Sequence, residues 1–175
     1  MKNTIEPEWE ARFEPNSYGF RPGRKAQDAI AQIKISIQHK PKYVLDADIA
    51  KCNDQIDHQA LLRKTEYKGS ISRQIRAWLR AGVIDSKQFL ETEEGTPQGG
   101  VISPLLANIA LHGLEEIVKR FAETIPPEMT GLRGVNKHSK KEKRKSLTFI
   151  RYADDFVILH NNKEVILQVK AIRRW

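Results

Sequence analysis

The chain has 175 residues, 39% hydrophobic and 30% charged, and 30 Lys and Arg against 22 Asp and Glu leave a formal charge of +8. That length buries roughly 70% of the surface an unfolded chain exposes, so a real core is possible, and the basic surplus points to an anionic partner, nucleic acid first, although a merely soluble basic protein has the same composition. A single Cys52 excludes an internal disulfide and a Cys-rich zinc site, and without an apolar leader or a run near the roughly 20 residues of a membrane helix the chain reads as cytoplasmic.

Residues 1–24 are punctuated by Pro15, Asn16, Gly19, Pro22 and Gly23 and read as loop. From Lys25 to Gln38, Ala26, Ala29, Ile30, Ile33 and Ile37 recur at helical spacing, and Pro41 stops the helix. "YVLDADI", 43–49, alternates like a strand. Asp57 can cap a helix over "HQALLRKTEY", and Ser70 another over "ISRQIRAWLRA" that ends at Gly82. "VIDSKQFLETE" reads as one or two strands before a Gly-rich turn, "EGTPQGG". A long helix is expected from about Ser103 to Phe121, with Leu105, Leu106, Ile109, Leu114, Ile117, Val118 and Phe121 on one apolar face. Pro126 and Pro127 end it. "RGVNKHSKKEKRKS" reads as a basic, mobile excursion, followed by a hairpin over 147–160 and a closing amphipathic helix. The order suggests an α+β sheet with helices on one face.

Asp46 and Asp48 are two apart on a strand and so share a face, roughly 7 Å apart. Carboxylates on a mostly apolar strand are costly unless paired or metal-bound, though a solvated strand end also accommodates them. Asp154 and Asp155 sit at the tip of the second acidic feature, "RYADDFVIL", where aspartate is also an ordinary turn residue. If the two strands are neighbours, three carboxylates converge. Such a cluster suits two Mg²⁺ ions and phosphoryl transfer. The five histidines are scattered and show no ligand spacing. In "EGTPQGGVISP" the glycines let backbone approach a ligand and Gln98 brings a hydrogen-bonding side chain, without the Gly-Lys-Ser/Thr of a P-loop. "SYGFRPGRK" mixes Tyr18 and Phe20 with Arg21, Arg24 and Lys25, which suits a nucleic-acid backbone or an ordinary surface loop.

Together these stretches resemble one family, the reverse transcriptases encoded by bacterial group II introns. "SYGFRPGRKAQDAI" resembles its second conserved block, "YVLDADIAKCNDQIDH" the third, "GTPQGGVISPLLANIALHGLE" the fourth and "RYADDFVIL" the fifth, in the family's order across residues 17–160. The resemblance implies an α+β right-hand polymerase palm with partial fingers, an antiparallel sheet packed on helices, in a single partial domain with a fingers segment at 1–40 and a palm segment at 41–175. It implies Asp48, Asp154 and Asp155 as catalytic and metal-binding, with Mg²⁺ as the cofactor. It assigns Gln98, Asn53 and Ile49 to the nucleotide and Arg21, Arg24 and Lys25 to nucleic acid.

The implied reaction adds dNTPs to a DNA primer on an RNA template, the group II intron RNA, with a possible splicing (maturase) role. Two departures qualify it. Asn53 stands where the family places an aromatic that rejects the 2′-hydroxyl, which predicts weaker discrimination against ribonucleotides. The family's first block, the rest of its palm, its thumb and its maturase regions are not matched, so the chain is expected to be feeble alone or to need a complementing polypeptide. Two other readings remain: an RNA-binding module without catalysis, and, against the "YADD" and "GTPQGG" boxes, a nucleotide cyclase.

Overall fold

The computed structural model describes residues 2–81, 83–85, 88–90, 95–96, 100–132, 134 and 139–172. In chain order it contains α1 (Lys2–Arg12), α2 (Ala26–Ile37), β1 (Tyr43–Asp48), α3 (His58–Thr65), α4 (Gly69–Leu79), β2 (Val83–Asp85) and β3 (Gln88–Leu90). There follow α5 (Ser103–Leu111), α6 (Leu114–Thr124), α7 (Lys140–Ser146), β4 (Thr148–Tyr152), β5 (Asp155–His160) and α8 (Lys163–Lys170). Helices and an antiparallel sheet give the expected α+β fold. No described helix is long and apolar enough to cross a membrane. The chain falls into two compact units, residues 1–13 with 49–112 and residues 14–48 with 113–175.

The first unit is mainly helical. Its core gathers Ile5, Trp9 and Phe13 with Ile56, Leu61, Leu62, Ile75, Leu79, Leu105, Leu106, Ala107 and Ile109. The expected loop at the N-terminus is therefore wrong over Lys2–Arg12. Ile5 and Trp9 are one helical turn apart and both buried, so their burial holds the helix despite Pro7 within it. Lys2–Glu6 and Glu8–Arg12 form ion pairs at i, i+4 along it. Asp57 caps α3 as its position suggests, accepting hydrogen bonds from the N–H groups of Gln59 and Ala60 at 2.7 and 2.9 Å. α4 begins at Gly69, with Lys68 rather than Ser70 at the cap position; its expected end at Gly82 lies outside the described residues. β2 and β3 pair antiparallel, Val83 opposite Leu90.

The long helix expected over 103–121 is two helices. His112 is extended (φ −58°, ψ 135°) and Gly113 has φ 102°, so the helical ladder stops at Leu111 and restarts at Leu114. Lys64 Nζ donates to the carbonyls of Ala110, at 2.7 Å, and of His112, which closes the C-terminal end of α5.

The second unit is built on a three-stranded antiparallel sheet in the order β1-β5-β4. Asp48 stands opposite Asp155 and Asp46 opposite Val157, while Tyr152 and Ile150 of β4 pair with Asp155 and Val157. Side chains alternate along a strand and directly opposed residues share a face. One face thus carries Asp46, Asp48, Asp155, Tyr152, Val157, Ile150 and Leu159. Its far end packs through Ile150, Val157 and Leu159 on Tyr18 and on Ala29 and Ile33 of α2. The opposite face carries Phe149, Arg151, Phe156, Ile158 and His160, all buried. The expectation of helices on one face is corrected, because consecutive residues such as Phe149 and Ile150 are both buried and both faces are covered there.

The basic excursion also differs from expectation where it is described. Lys140–Ser146 forms a short helix, and Arg144 bridges Glu116 and Glu123 of α6, with 2.9 Å from Nη1 to Glu123 Oε1. Arg144 holds both glutamate carboxyls below their ordinary range. Ion pairing to an acidic helix face, rather than an apolar stripe, orders this segment.

Candidate active site

The acidic residues meet at the open end of the sheet. β1 is an edge strand whose Asp46 and Asp48 are both exposed. A two-residue turn, Ala153 and Asp154, joins β4 to β5 and delivers Asp155 directly across from Asp48. Opposed side chains on adjacent strands have Cβ atoms about 4.5–5.5 Å apart, and like charges there repel. Desolvation, and then the charges of Asp154, Asp48 and Asp46, push the Asp155 carboxyl above its ordinary value. The chain thus concentrates negative charge at one sheet end. Among the described residues no group of three or more His, Cys, Asp or Glu side chains is placed so as to hold a metal ion. The arrangement is an open carboxylate pair with a third carboxylate in the adjoining turn.

In the other unit, residues 49–58 and the visible part of the Gly-rich turn form a second local structure. Cys52–Asp54 is a single 3-10 turn, entered through Lys51 at φ 53°, and Cys52 N–H donates to Ile49 O at 3.0 Å. Cys52 is buried and Asn53 is exposed. Thr96 N–H donates to Asn53 O at 2.7 Å, Gly95 N–H to Ile56 O at 2.9 Å, and His58 Nε2 bonds Gly95 O at 2.6 Å. A Cβ on Gly95 would lie 2.7 Å from Asn53 O and 2.8 Å from Asp54 Cα, at a φ of 83°. Gly95→Ala therefore combines a left-handed backbone with a backbone clash. It is expected to destabilise by at least about 1 kcal/mol and to expose the buried Cys52 thiol, which thiol-reagent labelling would register. Gln98 lies outside the described residues.

The loop "SYGFRPGRK" in the sheet unit is more internal than its composition suggests. Arg21 is buried, and its Nη1 donates to the carbonyls of Glu14 at 2.9 Å and Ser17 at 2.8 Å. Arg24 lies over the ring of Tyr18, 5.2 Å from guanidinium carbon to centroid, and donates to the carbonyls of Pro15 and Ser17. Pro22, Gly23, Lys25 and the 60%-exposed ring of Phe20 are the members open to solvent. Arg151 and Ser17 are residues that sequence reasoning missed. The available signal was a lone arginine at a core position of the apolar strand "TFIRY", where an unpartnered charge is costly.

The profile of the reverse transcriptase (RNA-dependent DNA polymerase) family matches residues 1–175. The chain is 33% identical over 196 aligned residues to the group II intron-encoded protein LtrA of Lactococcus lactis subsp. cremoris, covering 88% of this chain and 33% of LtrA. It is 31% identical to protein YkfC of Escherichia coli (strain K12), covering 99% of this chain and 49% of YkfC. The chain thus spans between a third and half of the length of these relatives. Among solved structures, the telomerase of Candida albicans in complex with a fragment of telomeric RNA superimposes with a TM-score of 0.61 at 14% identity, over 97% of this chain and 30% of that one. At that identity the likeness is one of fold.

Proposed function

The chain belongs to the reverse transcriptase (RNA-dependent DNA polymerase) family, and from that premise we propose that its acidic sheet end adds deoxynucleotides to a DNA primer on an RNA template, with Mg²⁺ as the metal and a group II intron as the source of the RNA. The observation that carries this reading is the opposition of Asp48 and Asp155 on one open sheet face, with Asp154 in the turn beside them.

These residues fit the ion. Carboxylate oxygens are hard donors, and Mg²⁺ takes one or two of them together with substrate phosphates rather than a closed protein cage. Asp48, Asp154 and Asp155 would hold it. When bound, two such ions favour deprotonation of the primer 3′ hydroxyl and neutralise charge on the α-phosphate and the leaving pyrophosphate. The carboxylates concentrate negative charge at one place, so that a cation relieves repulsion already built into the register. The edge position of β1 leaves that place accessible to a phosphate chain.

Asn53, Ile49 and Gln98 are assigned to the incoming nucleotide, and Lys25, with Arg21 and Arg24 behind it, to nucleic acid. An amide at position 53 is smaller and more polar than an aromatic ring. Asn53→Phe is therefore expected to raise the ratio of kcat/KM for dNTP over rNTP about tenfold, which corresponds to about 1.4 kcal/mol. Single-nucleotide incorporation with both sugars measures it, and equal ratios in the two proteins would remove the assignment.

The whole reading is tested by primer extension on an RNA template with Mg²⁺, comparing the chain with Asp154→Asn. Extension that the substitution lowers about 10³-fold supports it, a size in keeping with several kcal/mol of metal-derived stabilisation. Salt-sensitive RNA binding with no extension in either protein would favour an RNA-binding module instead.

A further inference from the structure

The turn that carries Asp154 is strained. Ala153 has φ 57°, a left-handed conformation that costs a residue with a Cβ roughly 1–2 kcal/mol and persists only where surroundings over-determine it. Those surroundings are a short stretch far away in the chain. Tyr18 N–H donates to Arg151 O and Arg151 N–H to Asn16 O, each at 2.9 Å, which makes a parallel bridge between Ser17 and Arg151. The Arg151 side chain is fully buried, and its fork reaches both partners, Nη1 to Ala153 O and Nη2 to Ser17 Oγ, each at 2.7 Å. A lysine is a point charge on a flexible stem and cannot reproduce that planar fork.

Gly19 completes the contact. A Cβ at that position would lie 2.2 Å from Ala153 N and 2.8 Å from Ala153 Cα. Its own φ is ordinary, so the glycine is required by the approach of the turn and not by its backbone. The stretch is itself anchored. Asn16 Nδ2 donates to the buried Glu115 at 2.7 Å. Glu14 Oε1 accepts from Gly113 N–H at 2.9 Å and Glu116 N–H at 3.3 Å at the start of α6. Arg21 and Arg24 hold the Ser17 carbonyl from the other side.

We propose that Asn16–Gly19 and the buried fork of Arg151 form a clasp that keeps Ala153 left-handed and so sets where the Asp154 and Asp155 carboxylates stand. Ser17, Gly19 and Arg151 are positioning residues, and their part in catalysis rests on the polymerase reading above. In this arrangement Arg21 and Arg24 serve the reaction through the loop they brace.

The test uses the full chain with Gly19→Ala, the milder Ser17→Ala, and Gly23→Ala as a control. Gly23 has φ 71° with open space around it, so alanine there strains the same loop without touching the turn. The intraresidue amide–α-proton cross-peak of Ala153, strong at positive φ and weak at negative φ, reports the turn directly. Amide exchange of Tyr18 and Arg151 reports the bridge. The cross-peak is expected to weaken and both amides to exchange faster in Gly19→Ala and Ser17→Ala, but not in Gly23→Ala. Primer-extension kcat should fall about 10²-fold in Gly19→Ala, the scale of a misplacement near 1 Å, with the KM for dNTP nearly unchanged. A Gly19→Ala protein with an intact Ala153 cross-peak and protected amides would overturn the clasp, as would a Gly23→Ala protein that shifts the turn equally. If the turn responds as described while the unmodified chain extends no primer, the clasp stands and the polymerase reading falls.

Discussion

Asp48→Asn is expected to abolish Mg²⁺-dependent primer extension while leaving the metal-free fold equally or slightly more stable. The two effects have opposite signs because one carboxylate serves two balances. Without metal, Asp48 faces Asp155 across the strand pair, and opposed like charges cost about 0.2–1 kcal/mol, towards the lower end here because the pair is solvent-screened. Replacing one charge by an amide removes that repulsion at nearly constant volume. On the proposed metal-dependent reading, the same change would remove an anionic oxygen from the site, and a loss of about 10³-fold or more is expected.

The pH dependence has a defined sign. The folded protein raises the Asp155 carboxyl above its ordinary 3.8, through desolvation first and then the neighbouring carboxylates. A carboxyl raised on folding contributes stability below its unfolded value and loses it as pH rises through the folded one. Metal-free melts should therefore fall across the window from 3.8 up to the raised value. Asp48→Asn should shallow that fall. A variant that melts well below the parent in the absence of metal, and still extends primers, would contradict this account of the pair.

Trp9→Ala is the substitution with the largest expected cost in stability, about 3–5 kcal/mol. Trp9 is 2% exposed. Its ring lies 5.8 Å from those of Phe13 and His112, edge-on to the histidine, and it belongs to the same core as Leu61, Ile75 and Leu106. Urea denaturation would read the loss, and a change under 1 kcal/mol would mean that α1 does not belong to this core. That helix is where local reading and tertiary packing diverge most. Pro7 and the Pro15–Gly23 run look like punctuation, whereas the burial of Ile5 and Trp9 depends on residues fifty to a hundred positions later in the chain.

The other divergences share that origin. The apolar face from Leu105 to Phe121 continues at helical spacing through His112 and Gly113, so periodicity alone merges α5 and α6, and it is the extended backbone of His112 with the positive φ of Gly113 that separates them. α7 has no apolar stripe. It is ordered by Arg144 reaching Glu116 and Glu123, partners at least 21 residues away. The strands and the acidic pair were legible because they are local: alternation sets the face of Asp46 and Asp48, and a hairpin over 147–160 must bring Asp154 and Asp155 to its tip. The clasp was not legible, since Arg151 and Ser17 are 134 residues apart. Composition marked Arg21 and Arg24 for an external anion, but their hydrogen bonds to loop carbonyls place both within the fold of that loop.

Whether the open end of the sheet is a divalent-cation site is tested most directly by paramagnetic broadening of the assigned amide spectrum by substoichiometric Mn²⁺, displaced by Mg²⁺. Broadening is expected to centre on Asp48, Asp154 and Asp155, to be reversed by excess Mg²⁺ and to be lost in Asp48→Asn, as a divalent-cation site there requires. Broadening centred elsewhere, or unchanged in that variant, would contradict it.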